Sequence, residues 1–489
     1  MVGETLRNTT YLKEEDSSIH NRKLIFKQKA ILFLISFCIN MVTYVILFPG
    51  YFQADHQITI AQIAAGNPSQ WHSLVWGYLA FPLIYLSPSY ALYGLVQILL
   101  YCFSSTYVTI KLYELSIISQ PMHLCLLYSL FPTFLLYNLL YCSDICFAYM
   151  IMILTVILIE LSEYGVSLLY KKSYIAKLVG FLTISILLRK NAILIPLLLL
   201  PIMLFLFPKK RTCIMSIILT SLLVSCAIDQ AFPLLLDADR SPSQEMLSIP
   251  AVQIARTYAE GNVPEEARNV FEEVRTAEEW TNVSYSYTAD YAKDGLSLSP
   301  SFLVAWIKTG LENPVLYMKA YCELEYPFWE FGADTQGDDY GLFWCGTSVD
   351  FGDFDWFTLN NAKGLNKHYL NQFGTNKSNV WKLPGIMYQF VCSHHIPIIT
   401  NLCTDILFNR ALPLWTLLVC FIISFRFNSF KDYLIVAAPA LSILLGFLLF
   451  APMALFRYSV QIYYCLPSIM LWTIHRIKIS NSLAHDNRI

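Results

Sequence analysis

The chain has 489 residues, 56% of them hydrophobic and only 14% charged, with a net charge of −2. This apolar content exceeds what one soluble core can bury, which excludes an all-soluble protein and leaves a mainly α, polytopic membrane protein lying in a lipid bilayer. No nucleic-acid partner is expected.

Residues 1–26 read as a cytoplasmic tail. Arg22, Lys23, Lys27 and Lys29 precede or open the first apolar run, and no small-residue cleavage signal follows it, so that run is expected to stay as an uncleaved first span. Apolar segments then recur at 27–48, 72–87, 90–112, 122–141, 145–165, 173–189, 191–207, 212–232, 406–425, 432–451 and 456–475. If all of them crossed, Lys171, Lys172 and the Lys209–Arg211 cluster would face outside, against the tendency of Lys and Arg to stay in the cytoplasm. Taking out 72–87, which is short, interrupted by Pro82 and rich in Trp and Tyr, restores the rule and makes that segment an interfacial helix. About ten transmembrane helices result, with both termini cytoplasmic. They form an N-terminal membrane module over 27–232 of about seven spans, whose outer loop is 49–89, and a C-terminal module over 406–475 of three spans. Residues 476–489 form a second cytoplasmic tail.

The outer loop carries "YFQADHQ" and then Trp71-His72. From Ala54 to Gly66, Ile60, Ile63 and Ala64 share one helical face while Asp55, Thr59 and Gln62 share another, which predicts a helix lying on the outer surface. Asp55 there reads either as a helix N-cap or as a reactive carboxylate. A second acid, Asp144, lies within "LLYCSDICFAYM" at a junction of two spans, where a carboxylate is costly enough to mark a functional position. Arg189-Lys190 interrupts two apolar stretches, and Arg457-Tyr458 opens the last one. Arginine and lysine at that depth suit a lipid-linked phosphate, and a carboxylate suits removal of a proton from an acceptor hydroxyl as a sugar leaves. Asp55 and Asp144 are alternatively a pair of hard-oxygen ligands for a divalent metal, Mg or Mn. His56 and His72 are candidate substrate contacts beside them.

Residues 233–405 hold 22 Asp and Glu against 11 Lys and Arg up to Thr400, and are expected to form an extracytoplasmic, partly helical domain. Helices are predicted over Pro264–Trp280, with a stripe of Val270, Phe271, Val274 and Ala277, and over Ser299–Tyr321. Nine acids and no bases fall between Glu323 and Asp355 among aromatic side chains, a composition suited to carbohydrate or to the rim of a lid. "GADTQGDDYG" within it does not match the EF-hand spacing and reads as a solvated acidic turn. Cys322, Cys345, Cys392 and Cys403 leave disulfide pairing open. No Walker A loop, dinucleotide fingerprint or HExxH motif is present, so no nucleotide cofactor is expected.

The order of first span, outer-loop Asp55, His72-containing turn and second outer Asp144 resembles the GT-C class of membrane glycosyltransferases. "LSIPAVQIAR", "LSPSFLVAWIKTGLENPVLYMKAY" and "FRYSVQIYYCLP" further resemble an uncharacterised group of bacterial membrane proteins in that class. The chain departs from the pattern at three places: Asp55 is followed by His56, where the class often has Asp-Glu; His72 precedes Ser73 instead of proline; and Ser143 stands where the group often has a basic residue before its second Asp. The resemblance implies a GT-C-like fold and transfer of a sugar from a polyprenyl-phosphate-linked donor to an extracytoplasmic glycan or lipid acceptor. In that role Asp55 and Asp144 are catalytic, and His56, His72, Arg189, Lys190, Arg457 and Tyr458 bind substrate. Alternatives are an envelope polysaccharide polymerase or ligase, and a lipid or solute transporter, though no repeated halves are found.

Overall fold

The computed structural model describes residues 23–331 and 406–486, apart from 47, 49, 88, 89, 286 and 287. The chain is mainly helical, and among the described residues five helical stretches are long and apolar enough to cross a membrane: Phe26–Ile46, Ala91–Glu114, Ser143–Tyr170, Pro208–Leu236 and Phe430–Phe450. The helices of the bundle are α1 (Phe26–Ile46), α4 (Ala91–Glu114), α7 (Ser143–Tyr164), α8 (Lys172–Leu188), α9 (Leu194–Leu206), α10 (Arg211–Leu236), α17 (Leu412–Arg426), α18 (Phe430–Phe450) and α19 (Phe456–Asp486). Between them lie α2 (Ala54–Ala65), α3 (Leu74–Leu86), α5 (Pro121–Leu130), α6 (Pro132–Tyr137) and a two-residue parallel pair, β1 (Tyr51–Phe52) with β2 (Leu140–Tyr141).

Helix α7 is the axis of the bundle. Its sequence is apolar all round, the signature of a helix with no lipid- or water-facing side, and every residue from Phe147 to Leu161 except Met150 is buried. It packs against α19, α4, α18 and α8. Its charged residues sit at its two ends. Asp144 and Glu160 are sixteen residues apart, or about 24 Å along the axis, and Glu160 accepts Lys111 at 3.0 Å. Close by, Arg476 reaches Glu163 at 3.4 Å and Asp432 at 3.2 Å, so ionic contacts mark both ends of an otherwise apolar bundle.

The segment expected as one span over 122–141 is instead broken into α5, α6 and β2. Pro132 lacks the N–H a continuous helix requires and pushes Phe131 into extended backbone (φ −67°, ψ 121°). Helix α3 has only thirteen residues, about 20 Å at helical rise, shorter than a hydrocarbon core. It packs on α2 so tightly that a Cβ at Gly77 would lie 2.6 Å from Ile63 Cδ1. Helix α2 is therefore not laid on a surface as its polar stripe suggested: Thr59 is as buried as Ile60, because α3 covers that face.

The described part of the insert has its own core. Its helices are α11 (Ser248–Glu260), α12 (Glu265–Glu272), α13 (Ala277–Asn282), α14 (Asp290–Lys293), α15 (Pro300–Glu312) and α16 (Pro314–Glu325). The single helix expected over Pro264–Trp280 is two, because Thr276 and Glu279 form a reciprocal capping box that starts α13; Val274 is consequently exposed, while Phe271 and Trp280 are buried. The helix expected over Ser299–Tyr321 is likewise split at Asn313-Pro314, although Ser299 caps its start by accepting Phe302 N–H. The insert seats on the bundle through Phe328 stacked on Phe447 at 4.2 Å, Ala289 N–H donating to Pro452 O at 2.6 Å, and the Tyr321 hydroxyl donating to Leu448 O at 3.2 Å. Cys345, Cys392, Cys403 and the acidic aromatic stretch from Gly332 to Asp355 lie outside the described residues, and Cys322 forms no disulfide with a described cysteine.

Trp280, with its indole N–H donated to Phe271 O at 3.2 Å, is the largest fully buried side chain among the described residues of the insert. Trp280→Ala is expected to destabilise the insert by about 3–5 kcal/mol, read as faster limited proteolysis between residues 233 and 331 with the bundle left intact.

Candidate functional site

Four segments distant in sequence meet at the insert-bearing end of the bundle. The first two are joined by backbone. β1 runs parallel to β2 with Phe52 opposite Tyr141, and Gln53 N–H donates on to Tyr141 O at 3.4 Å, which holds the start of α2 beside the start of α7. Gly50 makes this approach possible: its φ of +85° is open to glycine, and a Cβ there would lie 2.6 Å from the Tyr141 ring. The turn after α2 is fixed in the same way to the foot of the insert, where Gln70 N–H donates to Asp239 O at 2.7 Å and Asp239 N–H to Pro68 O at 2.9 Å.

Asp55 and Asp144 each lie in the first turn of a helix, where the unpaired N–H groups favour negative charge. Asp55 is not the N-cap: Gln53 is, its side-chain oxygen accepting His56 N–H at 3.2 Å. That leaves the Asp55 carboxylate free for Arg457, whose Nη1 lies 2.9 Å from Oδ2. Asp144 is paired with Arg189, which sits in the extended break (φ −148°, ψ 120°) between α8 and a 3-10 turn over Lys190–Ile193. The Tyr458 ring joins the two pairs. Arg189 lies 5.2 Å and Arg457 5.1 Å from its centroid, and Arg457 Nη2 donates to its hydroxyl at 3.1 Å.

The histidines form the third side. His56 is buried, stacked on His72 at 4.8 Å and met edge-on by Trp76 at 4.9 Å; Trp76 in turn donates to the Tyr93 hydroxyl at 2.8 Å. Trp71 lies over His72 at 4.5 Å and donates to Glu245 Oε1 at 3.2 Å, so the insert supplies part of the wall. Lys190 is not in this group. Its ammonium donates to Gln70 O at 2.5 Å and braces the turn instead of either carboxylate.

Electrostatics set the protonation of the group. Burial pushes the Asp55 carboxyl up, but Arg457, His72 and the Gln53 amide outweigh it and hold the group well below the usual carboxylate range. Burial drives the His56 imidazole down to about 3, with Arg457 and Arg189 adding to the effect and Asp55 opposing it. His72 is likewise driven down to about 3 by burial, with His56 adding and Asp55 opposing. Both rings are neutral near pH 7. His72 Nε2, 4.0 Å from Asp55 Oδ2, is thus neither hydrogen-bonded nor ion-paired to it.

Among the described residues, two buried polar atoms of this group have no hydrogen-bond partner: Arg457 Nε and His72 Nε2. A divalent ion shared by Asp55 and Asp144 needs oxygen ligands turned to a common point. Each carboxylate is turned instead to a guanidinium, and among the described residues no group of three His, Cys, Asp or Glu side chains gathers. As arranged, these residues fit an anion better than a cation. Gln53, Ser143, Trp76 and Glu245 were not picked out as site residues from the sequence; only Ser143 left a signal there, as a departure at the position before Asp144. No protein-family profile, curated protein or solved structure matches the chain.

Removing one partner of a pair strands the other. Asp55→Asn leaves Arg457 largely buried without a counter-charge and is expected to cost about 1–3 kcal/mol, below the fully buried case because the carboxylate is one-quarter exposed. Thermal unfolding in detergent measures this, and Asp55→Asn combined with Arg457→Met should recover most of the loss. The buried neutral histidines make a second expectation. Their folded values lie below the ordinary 6.5, so the unfolded chain binds protons first: the stability they contribute is complete above about pH 6.5 and is lost as pH falls toward about 3. The melting temperature should fall over that window, and His56→Gln should flatten the fall.

Proposed function

We propose that the protein is an integral membrane glycosyltransferase of the GT-C kind, which moves a sugar from a polyprenyl-phosphate-linked donor to an extracytoplasmic acceptor, a cell-envelope glycan or lipid. One observation carries the reading: two carboxylate–arginine pairs from four separate segments flank a single tyrosine ring, next to buried nitrogen atoms that lack partners. A donor phosphate competes with Asp55 for Arg457, and a guanidinium taken by phosphate releases the carboxylate it held. The freed carboxylate accepts the acceptor's hydroxyl proton while the bond from the anomeric carbon to the phosphate oxygen breaks and the new glycosidic bond forms. The phosphate leaves with the electron pair, held by arginine. Arg189 and Asp144 repeat the arrangement beside the same Tyr458 ring. Nothing in this sequence of steps passes through a metal ion or a nucleotide.

The reading goes with a ten-span topology in which both termini are cytoplasmic and residues 233–405, with the site, face outward. Ionic contacts about 24 Å apart at the two ends of α7 support a bilayer crossing by the central bundle, and the thirteen residues of α3 support an interfacial segment at 74–86. Ser87→Cys should react with an impermeant thiol reagent added from outside; protection from it would turn the topology over.

Envelope glycans and polyprenyl-linked lipids of a deletion strain, analysed by mass spectrometry after complementation, test the function. The wild-type gene is expected to restore a glycosylated species that Asp55→Asn and Asp144→Asn each reduce by about a hundredfold or more. Full restoration by both variants would refute the catalytic assignment. Activity that survives Asp55→Asn but not Arg189→Met or Arg457→Met points to a polymerase or ligase acting on a lipid diphosphate, and transport without covalent change points to a carrier.

A further inference from the structure

Gln53 has two jobs. Its amide nitrogen donates to Asp55 Oδ2 at 2.8 Å, and its amide oxygen takes His56 Nδ1 at 2.7 Å together with His56 backbone N–H at 3.2 Å. The orientation is determined by the carboxylate, which as an ion can only accept, so the NH2 must face Asp55 and the oxygen must face His56. An amide oxygen accepts only; Nδ1 of His56 therefore carries the proton. Nε2 of the same neutral ring is then a bare acceptor, and the Ser143 hydroxyl, 2.8 Å away, donates to it. A directed chain of hydrogen bonds runs from Ser143, the residue preceding Asp144, through His56 and Gln53 to Asp55.

The ring has little freedom to leave this arrangement. His72 stacks on one face, Trp76 closes an edge, and the β1–β2 backbone pair fixes the separation of the two chain segments. Each link is uncharged, which matters because Asp55, Arg457 and Arg189 all act on His56. A cationic ring at that point would compete with Arg457 for Asp55; a neutral one does not.

We infer that Gln53, His56 and Ser143 form an uncharged hydrogen-bonded strut between the two carboxylate-bearing helix starts, keeping each carboxylate turned to its own arginine and out of reach of the other. They are positioning residues and none of them needs to touch a substrate. Ser143 is the pivot. Where a basic side chain at this position would add charge between the pairs, its hydroxyl supplies the one donor that a Nδ1-protonated ring requires. The strut stands on the hydrogen-bond geometry together with the neutrality of the buried His56 ring; its effect on turnover rests on the glycosyl-transfer reading.

The test is 15N NMR of the full-length protein in lipid, with the histidines labelled and His56 assigned by its loss in His56→Gln, or by its shift in Gln53→Glu should that variant not accumulate. Wild type is expected to show His56 as the neutral Nδ1–H tautomer at pH 7. Ser143→Ala should shift the Nε2 resonance, Ser143→Thr should keep it, and Gln53→Glu should move the ring's titration upward by placing a carboxylate against Nδ1. An Nε2–H tautomer, a doubly protonated ring at pH 7, or a Ser143→Ala spectrum unchanged from wild type would overturn the strut. In the complementation assay, Ser143→Ala is expected to lower the glycosylated product about tenfold with Ser143→Thr near wild type; equal yield from Ser143→Ala would overturn the effect on turnover. Should wild type alter no envelope glycan, the functional reading falls while the NMR result still decides the strut.

Discussion

Two largely buried ion pairs govern the architecture at the insert-bearing end. An arginine or carboxylate withdrawn from water without its counter-charge costs several kcal/mol, so neither Asp55 nor Asp144 can settle before a cation arrives from elsewhere in the chain. Arg457 comes from 402 positions away and Arg189 from 45. The last helix therefore has to pack against the loop that follows α1, and α8 has to end beside α7, before either carboxylate is compensated. The apolar bundle delivers this: α7 at its centre packs on both α8 and α19, the two helices whose ends carry the arginines.

Under the proposed function the same pairs would connect stability with ligand binding. A guanidinium that holds a carboxylate is already desolvated and oriented, so an incoming anion meets a donor in place and exchanges one anionic partner for another. The surrounding groups keep that exchange local. Neutral histidines do not compete for the carboxylates, Lys190 is engaged with the Gln70 carbonyl, and Trp71 ties the wall to Glu245, which Lys293 holds at 2.6 Å on the insert. At the other end of α7 the contacts of Glu160 with Lys111 and of Arg476 with Glu163 and Asp432 are far from the site, and they pin four helices where no exchange is required.

Much of the site was legible because charge inside apolar sequence is conspicuous. Asp55, Asp144, Arg189 and Arg457 stand out against uncharged neighbours, and the structure brings them together; Lys190, which stood out equally, is placed outside the group. The connecting residues were not legible in the same way. Gln53 and Trp76 are unremarkable polar and aromatic residues in a loop rich in both, and their roles depend on partners set by folding. Helix breaks are hidden where the apolar pattern continues across them: Pro132 splits a segment that hydropathy treats as one span, Pro314 splits a segment whose pattern reads as one helix, and the Thr276–Glu279 box restarts a helix within a run of acids.

What the sequence determined by itself is local: apolar runs become helices because backbone groups in an apolar setting must bond to one another, and prolines and caps mark most of their ends. Which arginine meets which carboxylate is not local. Complementary charge is the same for any Arg and any Asp, and only helix packing, the β1–β2 pair and the space that Gly50 leaves beside Tyr141 bring particular ones within reach. The protonation of His56 belongs to the tertiary structure for the same reason, since burial and the facing groups that set it come from parts of the chain that no window of sequence contains.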